Sequence, residues 1–175
     1  LIPKYYVSSD EGRYFTPGNV EPVMVFFTDA DGDTYEVPMG TRVLFACEEN
    51  ADLVVAGEVG TDLWGVFPPS MDHTVAGATV VVNGSASFEA VGKADYRRLL
   101  VQSQSAKLYA AYLMANAGEG ESTTDLVYGG HNIIAENGKI LAQVKNFTCK
   151  NLYNDFYINF HKAYLWQNKR KVVML

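Results

Sequence analysis

Short apolar runs recur along the chain, and they predict strands that alternate with two helices. Four runs rich in β-branched and aromatic residues are typical of buried strands, at residues 23–28, 42–47, 52–59 and 78–83. Strands that alternate with helices favour a layered α/β fold.

Two segments carry helix signals. Pro68-Pro69-Ser70 predicts a helix start with the serine as its cap, followed by residues 71–76. Residues 93–107 contain good helix formers, and Tyr96, Leu99, Leu100 and Ser103 share one face at spacings of three and four. The apolar stretch 108–115 either ends that helix or forms another strand.

Two turns predict hairpins, so the sheets are expected to be mixed and not wholly parallel. Asp29-Ala-Asp-Gly-Asp33 separates the strand at 23–28 from a return strand at 34–37. Asn137-Gly138 supplies the positive φ angles of a tight turn between residues 131–134 and 139–144.

Composition fits one domain with a substantial core. The chain has 175 residues, of which 48% are hydrophobic and 13% aromatic. No 18-residue apolar window predicts a membrane span, and residues 1–10 lack the pattern of a signal peptide. Cys47 and Cys149 are too few for a disulfide framework, so we expect a reducing, cytoplasmic setting.

Charge divides the chain into two parts. Residues 1–143 hold eight basic and 19 acidic residues, whereas residues from Lys145 onward hold six basic residues and one acid. The acidic body argues against nucleic-acid binding, and the basic, aromatic tail indicates a segment of different origin or role.

Several candidate sites fail on spacing. The Asp29 to Asp33 segment has its glycine at loop position four instead of six, and Gly40 stands where a calcium loop needs glutamate. The three histidines are far apart in sequence, so no metal site is predicted. Cys47 lies beside two glutamates that disfavour a thiolate, and we expect it to be structural.

A series of motifs in residues 1–143 resembles one known family. In order, the motifs are Arg13-Tyr-Phe-Thr-Pro-Gly18, Glu58-Val-Gly-Thr-Asp-Leu-Trp64, Pro68-Pro-Ser70, Gly92-Lys-Ala-Asp-Tyr-Arg-Arg98, Gly118-Glu-Gly-Glu-Ser-Thr-Thr-Asp-Leu126 and Ala135-Glu-Asn-Gly138. Together they resemble the glutamine amidotransferase domain of glutamine-dependent NAD synthetases, a branch of the nitrilase (carbon-nitrogen hydrolase) superfamily.

The resemblance implies an αββα sandwich, here incomplete because the first strand and helix are missing. It also implies hydrolysis of glutamine, with ammonia passed to a separate synthetase domain that amidates deamido-NAD. On this basis no cofactor belongs to the present domain, because ATP and Mg belong to the absent synthetase domain. Homo-oligomers are expected of the full-length family.

The chain departs from the family pattern at the catalytic positions. The family uses a cysteine nucleophile, a glutamate base and a lysine, and Gly60 stands at the nucleophile position. The resemblance puts the glutamate and the lysine before Leu1, with Lys4 on the wrong side of Pro3. We therefore expect the chain to be inactive as written.

Three residues match the family's substrate pocket and its surroundings. Ser87 and Lys93 match positions that contact glutamine, with chemistry suited to the charged groups of an amino acid. Glu11 matches a second, supporting glutamate. An alternative function is a non-catalytic binding or assembly module of the superfamily.

Residues 144–175 show none of the family's continuation. One hypothesis is a truncated or frame-shifted reading, as in a gene fragment or pseudogene. The alternative is a genuine extension that packs its aromatic residues on the exposed sheet edge.

Overall fold

A six-stranded mixed sheet is the centre of the fold. The computed structural model describes residues 1–144, apart from the side chain of Glu119. The strands are β1 (Val23–Thr28), β2 (Thr34–Met39), β3 (Leu44–Ala46), β4 (Val54–Val59), β5 (Val80–Ser85), β6 (Ala111–Asn116), β7 (Ile133–Glu136) and β8 (Lys139–Gln143), and the α-helices are α1 (Ser70–Val75) and α2 (Lys93–Leu108). Short 3-10 helices span Glu11–Arg13, Gly60–Trp64 and Glu119–Glu121.

The main sheet has the order β3-β4-β5-β6-β7-β8. Strands β4, β5 and β6 are parallel, and the other pairs are antiparallel. Helix α1 packs on β4 and α2 packs on β6, β7 and β8. This mixed α/β arrangement confirms the expected fold class, in its incomplete form.

The core lies between the main sheet and α2. Side chains that alternate along the central strands point toward the helix and exclude water there. The buried residues of this layer include Val81, Val101, Leu108, Tyr112, Met114, Ile133 and Ala135. On the opposite face Phe45 and Val82 remain partly exposed, and Ile2 lies over Gly57.

Both predicted hairpins are present. In the separate two-stranded sheet β1–β2, Asp29 Oδ1 accepts from the backbone N–H groups of Asp31 and Asp33 at 3.0 Å, so this acidic segment is a turn. Asn137 and Gly138 have φ angles of 47° and 82° between β7 and β8, as the Asn-Gly signal predicts.

One local prediction about the helices is wrong, and the buried face of α2 is not the face that carries Tyr96 and Leu99. Ser70 is the first residue of α1 and not its cap, and its Oγ accepts from Gln104 Nε2 at 3.0 Å. On α2, Tyr96 and Leu99 are exposed, and the inward face carries Arg97 and Gln104 among its apolar residues. Because polar residues interrupt the apolar pattern of the inward face, the spacing of apolar residues does not reveal which face of α2 is buried. The segment 108–115 resolves into the end of α2 and strand β6.

The described part of the chain ends just after β8. Val144 is buried, and its N–H donates to Asn132 O at 2.9 Å. The predictions made for residues 145–175 lie outside the described residues, so the domain boundary at 143/144 stays a prediction.

Candidate functional site

The candidate site lies where the parallel strands β4, β5 and β6 end. Gly60 directly follows β4, Ser87 lies in the loop after β5, and Asn116 ends β6. Carboxyl ends of adjacent parallel strands meet at one edge of a sheet, which is where open α/β sheets bind ligands. The topology therefore brings the predicted positions 60 and 87 to the same edge.

Gly60 occupies a turn that suits glycine. Its φ is +56°, and it begins the 3-10 helix Gly60–Trp64. Its carbonyl accepts from Asn83 Nδ2 at 3.3 Å, which ties the turn to the neighbouring strand. A Cβ atom added at position 60 would lie 3.9 Å from both Cε and Nζ of Lys4. The site therefore has space for a side chain at this position.

Lys4 lies at the same edge of the sheet as position 60. Its ammonium lies beside position 60 and forms an ion pair with Glu11 Oε1. Residues 1–6 run past the end of β4, so Lys4 reaches position 60 although it follows Pro3 in the sequence.

Glu11 is fixed by its neighbours as well as by Lys4. Its Oε2 accepts from the backbone N–H of Ser8 at 2.8 Å. The hydrogen bond from Lys4, followed by that from Ser8, lowers the pKa of Glu11 below its ordinary value. A carboxylate and an ammonium therefore stand together next to the empty side-chain position.

Asp62 is a buried residue of the site that the sequence did not single out. Its carboxylate accepts from the backbone N–H groups of Tyr5, Tyr6 and Val59. Asp62 bonds to the backbone of Val59, three residues earlier, and to the distant segment at Tyr5 and Tyr6. Such bonds leave no periodic pattern in the sequence. The place of Asp62 in the Glu58 to Trp64 motif was the only available sign.

Ser87 and Lys93 belong to a second half of the site. Ser87 is held by paired bonds with Asn116: the Ser87 N–H donates to Oδ1 at 2.8 Å, and Nδ2 donates to Ser87 O at 3.1 Å. Its hydroxyl accepts from Arg97 Nη1 at 3.3 Å. Arg97 is fully buried, and it also forms an ion pair with Glu89.

Lys93 lies at the start of α2, where its ammonium contacts aromatic faces. Nζ lies 3.1 Å from the ring centroid of Phe88 and 5.6 Å from that of Trp64. Burial lowers the pKa of Lys93, and the charge of Arg97 adds to this effect. Because Trp64 ends the 3-10 helix that Gly60 begins, it links the two halves of the site.

A buried polar network supports the site from the helix side. Tyr112 donates its hydroxyl hydrogen to Glu58 Oε1, and the Ser70 N–H donates to Oε2 at 3.0 Å. Asn83 Nδ2 donates to the Tyr112 hydroxyl at 3.0 Å as well as to Gly60. Burial raises the pKa of Glu58 above its ordinary value.

Cys47 is distant from this edge. It follows β3, and its N–H donates to Leu53 O at 2.9 Å, at the start of β4. Strand β4 runs from Val54 to Val59, so at about 3.3 Å per residue its two ends are roughly 17 Å apart. Cys47 therefore does not replace a side chain at position 60.

Two features are absent from residues 1–144. No group of three or more His, Cys, Asp or Glu side chains is arranged to hold a metal ion within that range. Nor does any helix in the same range have the length and apolarity needed to cross a membrane.

Comparison with known proteins first gives the class of the fold. A mutant of the Nesterenkonia AN1 amidase, from the nitrilase superfamily, matches with a TM-score of 0.54 and 17% identity, covering 82% of this chain and 45% of that one. A glutamine-dependent NAD(+) synthetase from Cytophaga hutchinsonii matches with a TM-score of 0.65 and 27% identity, covering 86% of this chain and 23% of that one. The architecture is that of the nitrilase superfamily, and no family model matches the chain.

Sequence similarity then gives the homologous proteins. The glutamine-dependent NAD(+) synthetase of Mycobacterium bovis is 40% identical over 151 residues, which cover 84% of this chain and 22% of the relative. The chain is therefore homologous to one part of the glutamine-dependent NAD(+) synthetases. It spans about a fifth of the length of the curated relatives that it matches.

Proposed function

We propose that this chain is the part of a glutamine amidotransferase domain that holds the amino-acid pocket, with the nucleophile position occupied by glycine. In the whole protein, such a domain hydrolyses glutamine and supplies ammonia to a synthetase domain that amidates deamido-NAD, with ATP and Mg at that second domain. Homology to part of the glutamine-dependent NAD(+) synthetases supports this assignment.

One observation carries the catalytic part of the proposal. The Lys4 and Glu11 pair faces a position that has room for a side chain and has none. In the family's chemistry a cysteine thiolate attacks the amide carbon, and the lysine and a backbone N–H stabilise the oxyanion. Glycine cannot form the thioester, so the chain as written does not turn glutamine over.

The second half of the site supports retained binding of an amino acid. The Lys93 ammonium supplies a cation for the α-carboxylate, and the Ser87 hydroxyl can accept from an ammonium group. Neither contact requires a side chain at position 60. This independence also supports the alternative, a non-catalytic module that binds an amino acid or assembles with other subunits.

Ammonia release from glutamine tests the catalytic proposal. The chain and its Gly60→Cys variant are compared, each with and without the family's upstream segment, which carries the general-base glutamate. We expect release only where both the cysteine and the upstream segment are present. Release by the unsubstituted chain would overturn the assignment of position 60, and a Cys47→Ser variant would then show whether that thiol is responsible.

Calorimetric titration with glutamine tests the binding proposal. We expect Lys93→Met to weaken binding at least tenfold, whereas Lys139→Met, at an exposed position on β8, leaves it unchanged. Equal binding by both variants would remove Lys93 from the pocket. Binding without turnover in the intact parent protein would favour the non-catalytic module.

A further inference from the structure

The Asp62 carboxylate joins two parts of the chain that are far apart in sequence. Oδ1 accepts from the N–H of Tyr6 at 2.7 Å and from that of Tyr5 at 3.1 Å, while Oδ2 lies 3.0 Å from the N–H of Val59. Asp62 is 1% exposed. Each of these bonds has an ionised acceptor that is shielded from water, and such bonds are stronger and shorter than neutral ones.

The backbone donors that bond to the Asp62 carboxylate lie next to Lys4 and next to position 60. Tyr5 and Tyr6 directly follow Lys4, and Val59 directly precedes Gly60. Two other backbone bonds of the segment lead elsewhere: Lys4 O accepts from Gly18 N at 2.8 Å, and Leu1 O accepts from Gly40 N at 3.1 Å. Tyr6 O accepts from the Thr61 hydroxyl of the same turn, at the longer distance of 3.4 Å. Asp62 therefore connects the backbone beside Lys4 to the turn at position 60.

We propose that Asp62 is a positioning residue: by fixing residues 5 and 6 on the turn after β4, it holds the Lys4 ammonium next to position 60. Glu11 orients the far end of the same lysine, and Asp62 fixes the backbone from which that lysine extends. The proposal rests on the proposed function because it concerns the same site. Its test, however, does not involve glutamine.

A thiol introduced at position 60 reports on the lysine. In the Gly60→Cys background, the ammonium favours the thiolate, so we expect a thiol pKa below the ordinary value of about 8.5. The pH dependence of alkylation by iodoacetamide measures this pKa. We expect Asp62→Asn to reduce the alkylation rate at pH 7 by about tenfold, equivalent to a rise of about one pKa unit.

Two companion variants separate positioning from general structural damage. Asp72→Asn changes a half-exposed carboxylate on α1 and should leave the thiol pKa unchanged. Lys4→Met removes the cation, and in that background Asp62→Asn should cause no further change, since interacting residues are non-additive. An unchanged pKa in Asp62→Asn, or the same shift with and without Lys4, would overturn the proposal.

Hydrogen exchange on the unsubstituted chain covers the case in which Asp62→Asn does not fold. The N–H groups of Tyr5 and Tyr6 lie outside any strand or helix, and we expect them to be protected nevertheless. Exchange at the rate of an unstructured peptide would contradict the proposal. Failure of the ammonia assay or of the glutamine titration would leave the alkylation and hydrogen-exchange tests unaffected. The proposed function and the role of Asp62 can therefore fail separately.

Discussion

Replacing Arg97 with methionine tests the central electrostatic feature of the fold. Arg97 is 0% exposed and pairs with Glu89, whose side chain is 10% exposed. Gly129 makes room for this carboxylate, because a Cβ atom there would lie 2.8 Å from Glu89 Oε1. Arg97→Met keeps most of the side-chain volume and removes the guanidinium that pairs with Glu89.

The expected cost is large because the remaining carboxylate is buried. Breaking a buried ion pair by removing one partner costs about 3–5 kcal/mol. Arg97→Met also removes the bond to Ser87 Oγ. Domains of this size unfold with about 5–15 kcal/mol in total, so we expect the midpoint to fall by roughly 10 °C or more.

Urea unfolding of four chains measures the effect: the unsubstituted chain, Arg97→Met, Glu89→Leu and the double variant. The double variant replaces both buried charges with apolar residues, and such replacements are often neutral or stabilising. We expect the double variant to be more stable than Arg97→Met alone. If the losses of unfolding free energy in the two single variants add up to the loss in the double variant, the Glu89 carboxylate is hydrated in the folded state and the reasoning fails.

Three further predictions concern other features. Gly60→Ala should lower the free energy of unfolding by about 1–2 kcal/mol, because φ is +56°, whereas Gly84→Ala has open space and should not; equal losses in a urea titration would contradict this. Burial lowers the pKa of His131 from 6.5, so the unfolded chain takes up a proton before the folded chain does, and the free energy of unfolding should fall as the pH drops below about 6.5. In thermal melts from about pH 7.5 to 5, His131→Gln should remove this dependence of stability on pH. An unchanged dependence would assign the effect to another titrating group. Phe26 is 80% exposed, so Phe26→Ser should change stability by less than about 0.5 kcal/mol and reduce self-association in light scattering; a larger loss would mean that the ring is packed in solution.

The strands were predictable because their signals are local. The apolar runs and the Asn-Gly turn require no knowledge of distant residues, and β4, β5 and the β7–β8 hairpin appear where those signals put them. The inward face of α2 was not predictable in the same way. Arg97 is charged and would normally face water, and its burial depends on Glu89 and Ser87, which lie in a different loop.

The site was predictable only in part, for a similar reason. Position 60 could be assigned by its motif, but the approach of Lys4 depends on how residues 1–6 cross the end of β4. That path is set by backbone N–H groups bonding to Asp62, and sequence patterns report side chains and not backbone donors. The roles of Ser87, Lys93 and Glu11 stay predictions.

The bend at position 60 has a consequence at the level of the gene. Glycine codons ending in a pyrimidine become cysteine codons by one change at the first base. The left-handed backbone, the open space and the neighbouring ammonium are present without a side chain at this position. Where the codon ends in a pyrimidine, a single point mutation therefore exchanges glycine and cysteine here. Among the described residues, the local penalty is the strain of a side chain at positive φ.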